Sequence, residues 1–172
     1  MEKGLIVIRI LILSDTHMPK KSKHLPGVLL DELNGCDLII HAGDWQSIKL
    51  YEELKKRAPV EGVYGNTDND ELCAILKEKI LLEIEGYKIG VIHGHGKKKT
   101  TEKRSIEAFD DEEVDAIIFG HSHIPIKKLH NGVILFNPGS PTDKRRMPNY
   151  SFGILEITDE LLFNHVFFDS KE

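Results

Sequence analysis

Cysteine, tryptophan and glutamine are scarce in this 172-residue chain: two Cys, one Trp and a single glutamine, Gln46. Cys36 and Cys73 have neither metal-finger spacing nor enough company for a disulfide framework, so both read as reduced thiols of a cytoplasmic protein. Long apolar runs are also missing, and none is sufficient to span a membrane. The nearest approach, Gly4–Leu13, is interrupted by Arg9 and lacks a small-residue cleavage site. It runs straight into Ser14-Asp15-Thr16-His17, and reads as a buried first strand rather than a signal-peptide core. Excess positive charge is absent too. A net charge of -5 argues against a general nucleic-acid binder. Neither a stable nucleic-acid partner nor a membrane is expected, while a small phosphoester remains compatible, because bound divalent metals reverse the local sign. What is present is 40% apolar residues in a length that suits one domain over residues 1–172. Self-association into a homo-oligomer is left open.

The apolar pattern predicts alternating β and α elements, then a β-rich end. Strands are expected at Arg9–Leu13, Leu38–Ile40, Pro59–Tyr64, Ile80–Ile84, Tyr87–Ile92 and Ala116–Phe119, and then at Ile124–Leu129, Val133–Phe136, Ser151–Ile157 and Leu161–Phe168. Helices are expected at Leu25–Leu33, stopped by Asn34-Gly35, and at Ile48–Arg57, Glu71–Leu76 and Thr100–Phe109. Met1–Ile8 has no clear place: it is extra strand length, an edge addition or an over-long start. Two packed sheets with helices outside fit this order.

Five of the predicted strands end in a small residue followed by Asp, Asn or His. The candidate donors are Asp15 and His17; Asp44; Asn66; His93 and His95; and His121 and His123. Sites in α/β folds gather beyond the carboxyl ends of strands. A set mixing carboxylate, amide oxygen and imidazole suits Mn, Fe, Ni or Zn better than Ca or Mg, which prefer oxygen throughout. Seven or eight donors are too many for one open catalytic ion and suit two ions sharing a carboxylate.

Five blocks, Asp15-Thr16-His17, Gly43-Asp44, Gly65-Asn66-Thr67-Asp68, His93-Gly94-His95 and Gly120-His121-Ser122-His123, together resemble the calcineurin-like metallophosphoesterases, in that family's order. Asn137-Pro138-Gly139-Ser140-Pro141 further resembles their short bacterial and archaeal phosphodiesterase branch. The resemblance implies a metallo-dependent phosphatase-like fold, an α/β (or α+β) four-layer α/β/β/α sandwich of two mixed sheets. It implies two divalent metal ions, manganese first, with nickel, iron or zinc as alternatives. One would take Asp15, His17, Asp44 and His123, and the other Asp44, Asn66, His93 and His121. Asp44 would bridge them, and a hydroxide held between the ions would attack phosphorus. On this pattern Asp44, Asn66 and His95 carry the catalytic roles, His95 being either a substrate-phosphate contact or a polar loop residue. One departure stands out: many relatives have a histidine after the block-three asparagine to protonate the leaving group, and here Thr67 stands there. Tyr64, where the Ser/Thr protein phosphatases have an arginine, also points away from that branch.

Several other residues read as structural. His41 is expected in the core or behind the ligands, and Asp68 mainly as a helix cap in an Asp-x-x-Glu box with Glu71, or else behind the ligands. Cys73 reads as core packing, and His24, His130 and His165 as surface or structural residues. Lys97, Lys98 and Lys99 do not form a P-loop, because Val91 stands where its leading glycine belongs. With Arg145 and Arg146 they are a solvated basic surface or a means of drawing in anions. The leading expectation is a phosphodiesterase acting on small phosphodiesters. The alternatives are a non-catalytic interaction protein like the retromer subunit of this fold, whose branch has degraded metal residues, and a phosphomonoesterase or nuclease of the same superfamily.

Overall fold

A computed structural model describes residues 5–172. The first strand, β1 (Ile8–Leu13), is apolar at every position except Arg9, the composition of a strand covered on both faces. Its alternation divides two cores. Ile10 and Ile12 join one with Ile40, Val91, Ile118 and Phe136, between the sheets. Leu11 and Leu13 join another with Leu29, Leu33, Leu50 and Leu54, beneath the helices. At the preceding residues Leu5 and Ile6 are 71% and 78% exposed and lie outside the strand. The remainder of the Met1–Ile8 reading, Met1–Gly4, falls outside the described residues.

After β1 come α1 (Gly27–Leu33), β2 (Leu38–His41), α2 (Ile48–Lys55), β3 (Val60–Gly62) and α3 (Asp70–Ile75). The hairpin of β4 (Lys79–Ile84) and β5 (Tyr87–Ile92) follows, then α4 (Thr101–Glu107) and β6 (Ala116–Ile118). The end is all β: β7 (Ile126–His130), β8 (Val133–Asn137), β9 (Tyr150–Ile157) and β10 (Leu161–Phe168). One sheet has the order β10-β9-β1-β2-β3 and the other β4-β5-β6-β8-β7. Each is mixed around three parallel strands: β1, β2 and β3 in the first, and β5, β6 and β8 in the second. The helices α1, α2 and α3 cover the first sheet, while Ile106 of α4 and the following Phe109 pack on Ile117 and Leu135 of the second. The layers are therefore α/β/β/α. All six parallel strands present their carboxyl ends to the same region between the sheets.

The differences from the sequence reading have local causes. Helix α1 starts at Gly27, not Leu25, because Pro26 disfavours helical geometry at the residue before it. Helix α2 stops at Lys55, two residues short of Arg57. Strand β7 begins after Pro125, which has no N–H for the ladder, so Ile124 lies outside it. Strand β3 shrinks to three residues, Val60–Gly62. Helix α3 is capped by Asn69, whose Oδ1 accepts from Leu72 N at 3.1 Å, so the expected Asp68 cap is wrong. That helix buries Leu72 and turns Cys73 outward, so Cys73 is exposed rather than in the core.

Candidate metal centre

Each parallel strand but one delivers donors to the common edge. Beyond β1, Asp15 and His17 adopt positive φ, 56° and 44°; beyond β2 Asp44 does so at 61°, and beyond β6 His121 and His123 at 68° and 60°. Left-handed backbone at non-glycine residues costs about 1–2 kcal/mol each. Five such residues in one spot mean that the surrounding packing over-determines the loops. Glycines permit that packing: a side chain at Gly65 would run into the Asp44 carboxylate, and one at Gly120 into the Ser14 hydroxyl. The Gly-Asn and Gly-His pairs of the sequence blocks are thus contacts between loops as well as turns.

Six side chains converge in two groups. Asp15, His17 and His123 form one; Asp44, His93 and His121 form the other, with the donor atoms of each within 4.8 Å of one another. Asp44 Oδ2 lies between them, 3.6 Å from His17 Nε2 and 3.2 Å from His93 Nε2. Asp15 Oδ1 is 3.4 Å from His123 Nε2 and 3.8 Å from both His17 Nε2 and His93 Nε2. The two donors of the loop after β6, His121 and His123, belong to different groups. Asn66 is exposed on the loop after β3, and His95 is half-buried, its ring 5.6 Å from that of His93 and 6.5 Å from that of His121.

The hydrogen bonds orient these atoms inward. Asp15 Oδ2 accepts from Ser14 Oγ at 2.8 Å and His121 N at 2.9 Å, leaving Oδ1 without a hydrogen-bond partner among the described residues. Asp44 Oδ1 accepts from Thr67 N at 3.0 Å, leaving Oδ2 for the centre. Nδ1 of His93 donates to Ala42 O at 2.7 Å, and Nδ1 of His123 to Asp143 O at 2.6 Å, so each ring, once neutral, turns its Nε2 lone pair to the cluster. His93 Nε2 is buried without a hydrogen bond of sound geometry, and His17 Nε2 faces His123 Nε2 at 3.3 Å. Converging lone pairs and an orphaned carboxylate oxygen in a dry site are tolerable around cations and costly without them. The donor set therefore fits divalent metal ions.

Charge balance agrees. Burial raises the Asp15 pKa to about 7, opposed by the His93 charge and reinforced by Asp44. His93 is pushed up to about 9: burial would lower it, but Asp15 and Asp44 more than compensate. Asp44 falls below the usual carboxylate range, because hydrogen bonding and charge from His93 overcome its burial. Burial, with the His93 charge, lowers His121 to about 4. His123 is also lowered to about 4, chiefly by burial. Burial thus favours the neutral imidazole, the form that can coordinate a cation, at His17, His121 and His123.

Residues outside the five blocks hold the loops. Asp68 accepts from Asp44 N at 3.0 Å, Gln46 N at 2.8 Å and Gly65 N at 2.8 Å, tying the β2 and β3 loops together. The Gln46 side-chain amide lies 3.2 Å from His17 Nδ1. The Asn137–Thr142 segment is a brace: Ser140 Oγ donates to Asp15 O at 2.7 Å, Thr142 Oγ1 to Thr16 O at 2.5 Å, and Asn137 Nδ2 to Gly120 O at 3.0 Å. None of these roles has a local sequence signal except the Asn-Pro-Gly-Ser motif. His165 is structural, bonded to Asn137 O at 2.7 Å and stacked on Phe136. Lys99 is not a free cation; it pairs with Glu107 at 2.6 Å.

His41 lies behind the donor cluster. Its Nδ1 accepts from Gly43 N at 3.1 Å, so its Nε2–H donates to Thr16 Oγ1 at 3.0 Å, and the ring stacks on Trp45. Burial, then the His93 charge, puts its pKa well below 6.5. Below that pH the unfolded chain takes a proton that folded His41 refuses, so stability falls as pH falls. In urea melts of metal-free protein between pH 7.5 and 5, the wild type should lose up to about 1.4 kcal/mol per pH unit more than His41→Gln. Equal slopes would show that His41 does not contribute.

Two mixed sheets closing on such a cluster define the metallophosphatase-type α/β/β/α fold. The chain belongs to the calcineurin-like phosphoesterase superfamily, whose domain model matches residues 8–160. It is 35% identical over 153 residues to a probable metallophosphoesterase of Methanothermobacter thermautotrophicus, covering 88% of this chain and 87% of that one. An archaeal phosphodiesterase structure superimposes with a TM-score of 0.72 at 25% identity, over 94% of this chain and 100% of the other. A Vps29 of Entamoeba histolytica, solved with Zn2+, does so with a TM-score of 0.71 at 26% identity, over 93% and 99%. Among the described residues no helix is long and apolar enough to cross a membrane.

Proposed function

We propose that the chain is a dinuclear metal-dependent phosphodiesterase. The observation that carries this reading is the pair of facing donor groups with Asp44 Oδ2 between them. Asp15, His17, Asp44 and His123 would hold one ion; Asp44, Asn66, His93 and His121 the other. Cations bound there supply Lewis acidity and an acidified water at neutral pH. Asp44 is suited to bridging because only a carboxylate offers two anionic oxygens to adjacent cations. His95, half-buried with its ring 5.6 Å from that of His93, would contact a phosphate oxygen. The Thr67 side chain cannot act as an acid near neutral pH, so the leaving group must be a good one or take its proton from water.

The likeness to Vps29 supports a second reading, a metal-binding interaction protein without turnover. Metal-stripped protein reloaded with Mn, Ni, Zn or Mg, and assayed on mono- and diesters, separates them. We expect about two ions per chain and diester hydrolysis fastest with Mn. Activity confined to monoesters removes the diesterase assignment. Two bound ions with no hydrolysis favour the interaction protein.

A further inference from the structure

We infer that the hollow beside Ser122 is a subsite for one ester arm of a phosphodiester, selecting a flat apolar group over a short alkyl one. The inference rests on the phosphoesterase reading. The hollow holds about 390 Å³ and is lined by Ser122, Ile124, Lys144, Arg145, Arg146 and Met147. Ser122, which lines the hollow, separates His121 from His123 in the chain. The volume of the hollow suits a ring-sized substituent. A monoester has a single ester arm, so only a diester can fill the hollow and present a separate leaving group at once.

The wall is built, not incidental. It follows directly from Asp143, whose carbonyl accepts the His123 Nδ1 hydrogen bond and whose N–H donates to Ser140 Oγ at 2.8 Å. A turn with Met147 N donating to Lys144 O at 2.9 Å completes it. The wall is thereby tied to the loops carrying Asp15 and His123. Ile124 is 45% exposed here, an apolar side chain beside a charged site. The Lys144 ammonium is engaged elsewhere, donating to Pro148 O at 3.2 Å and lying over the Tyr150 ring. Arg145 and Arg146 are exposed, and neither has a hydrogen-bonded or ion-paired side-chain partner among the described residues. Arg145 is held at a φ of 49°, close enough for its charge to act on His17 and His123. A free guanidinium suits both a phosphate oxygen and the face of a planar ring. The neighbouring hollow across Ser122 is lined by Lys99, Thr100, Thr101 and Arg104. It offers less, because the Arg104 guanidinium is occupied by the carbonyls of Gly94, Lys98 and Lys99.

The test compares diphenyl phosphate with dimethyl phosphate as competitive inhibitors of bis(p-nitrophenyl) phosphate hydrolysis. In the wild type diphenyl phosphate should inhibit at least roughly tenfold more tightly, and Ile124→Glu or Met147→Glu should bring that ratio close to one. Arg145→Ala should weaken both inhibitors. A ratio near one in the wild type, or one unmoved by the Ile124 and Met147 variants, overturns the subsite. A second readout does not depend on turnover: in zinc-loaded protein, the labelled Met147 methyl signal should shift saturably with diphenyl phosphate and not with dimethyl phosphate. If the signal shifts while no phosphoester is hydrolysed, the subsite stands and the enzymatic reading falls. A stationary signal rejects the subsite.

Discussion

Asp44→Ala should reduce metal-dependent phosphodiester hydrolysis by about a thousandfold or more, equivalent to losing roughly 4 kcal/mol of transition-state stabilisation. Asp44 Oδ2 approaches both donor groups, 3.6 Å from His17 Nε2 and 3.2 Å from His93 Nε2, and comes closer to the opposite group than Asp15 Oδ1 does at 3.8 Å from His93 Nε2. Its removal takes a negative charge from both proposed ions together. The fold should survive, since Oδ1 braces only Thr67 N, on an exposed loop where water can replace it. Asp44→Asn sharpens the test. It preserves an acceptor for Thr67 N but not the shared anion, and should be nearly as inactive. Metal content should drop below two per chain in both variants while circular dichroism is unchanged. Hydrolysis of a chromogenic diester at the wild-type rate by either variant would sink the assignment.

Asp68→Ala should cost about 3 kcal/mol of folding stability and weaken metal binding, although Asp68 is a donor in neither group. Its two oxygens take three backbone N–H groups, from Asp44, Gln46 and Gly65. Deleting the carboxylate leaves three partly buried donors without acceptors. Each unsatisfied donor costs about 1–3 kcal/mol, reduced here where water can enter. The backbone of Asp44 would no longer be held at its positive φ, so the damage reaches the metal centre. Asp68→Asn retains one carbonyl oxygen and should lose about half as much. Urea unfolding midpoints measure the first effect and manganese titration the second. An Asp68→Ala protein within about 0.5 kcal/mol of the wild type would show that these bonds are replaced by water.

The chemistry of the centre was legible because the donors sit at or just past the ends of apolar strands, next to small residues, a local pattern. The same locality explains the errors. Asp-x-x-Glu at Asp68 is a sound capping pattern, yet Asn69 caps the helix and Asp68 turns to a loop 24 residues earlier in the chain. Cys73 belongs to a helix with one buried face only a residue wide, at Leu72, so helical placement alone did not decide its burial. Likewise Pro26 and Pro125 trim elements whose apolar residues continue past them, because backbone geometry overrides hydropathy at proline.

Though His95 joins neither group and Asn66 is exposed, the sequence by itself determined the order of strands and helices, the alternation that gives β1 two buried faces, and the six side chains that converge. All of these depend on side-chain type and short-range period, which the linear chain contains in full. The division of His121 and His123 between two groups and the place of Asp44 between them were implied by the family resemblance alone; only the tertiary structure supplied their geometry and left Asp15 Oδ1 without a partner among the described residues. Those facts depend on left-handed backbone at five donors and on loops brought within a few ångströms from as far apart as residues 15 and 140. Such geometry is set by the packing of two sheets on each other, and no local stretch of the chain specifies it.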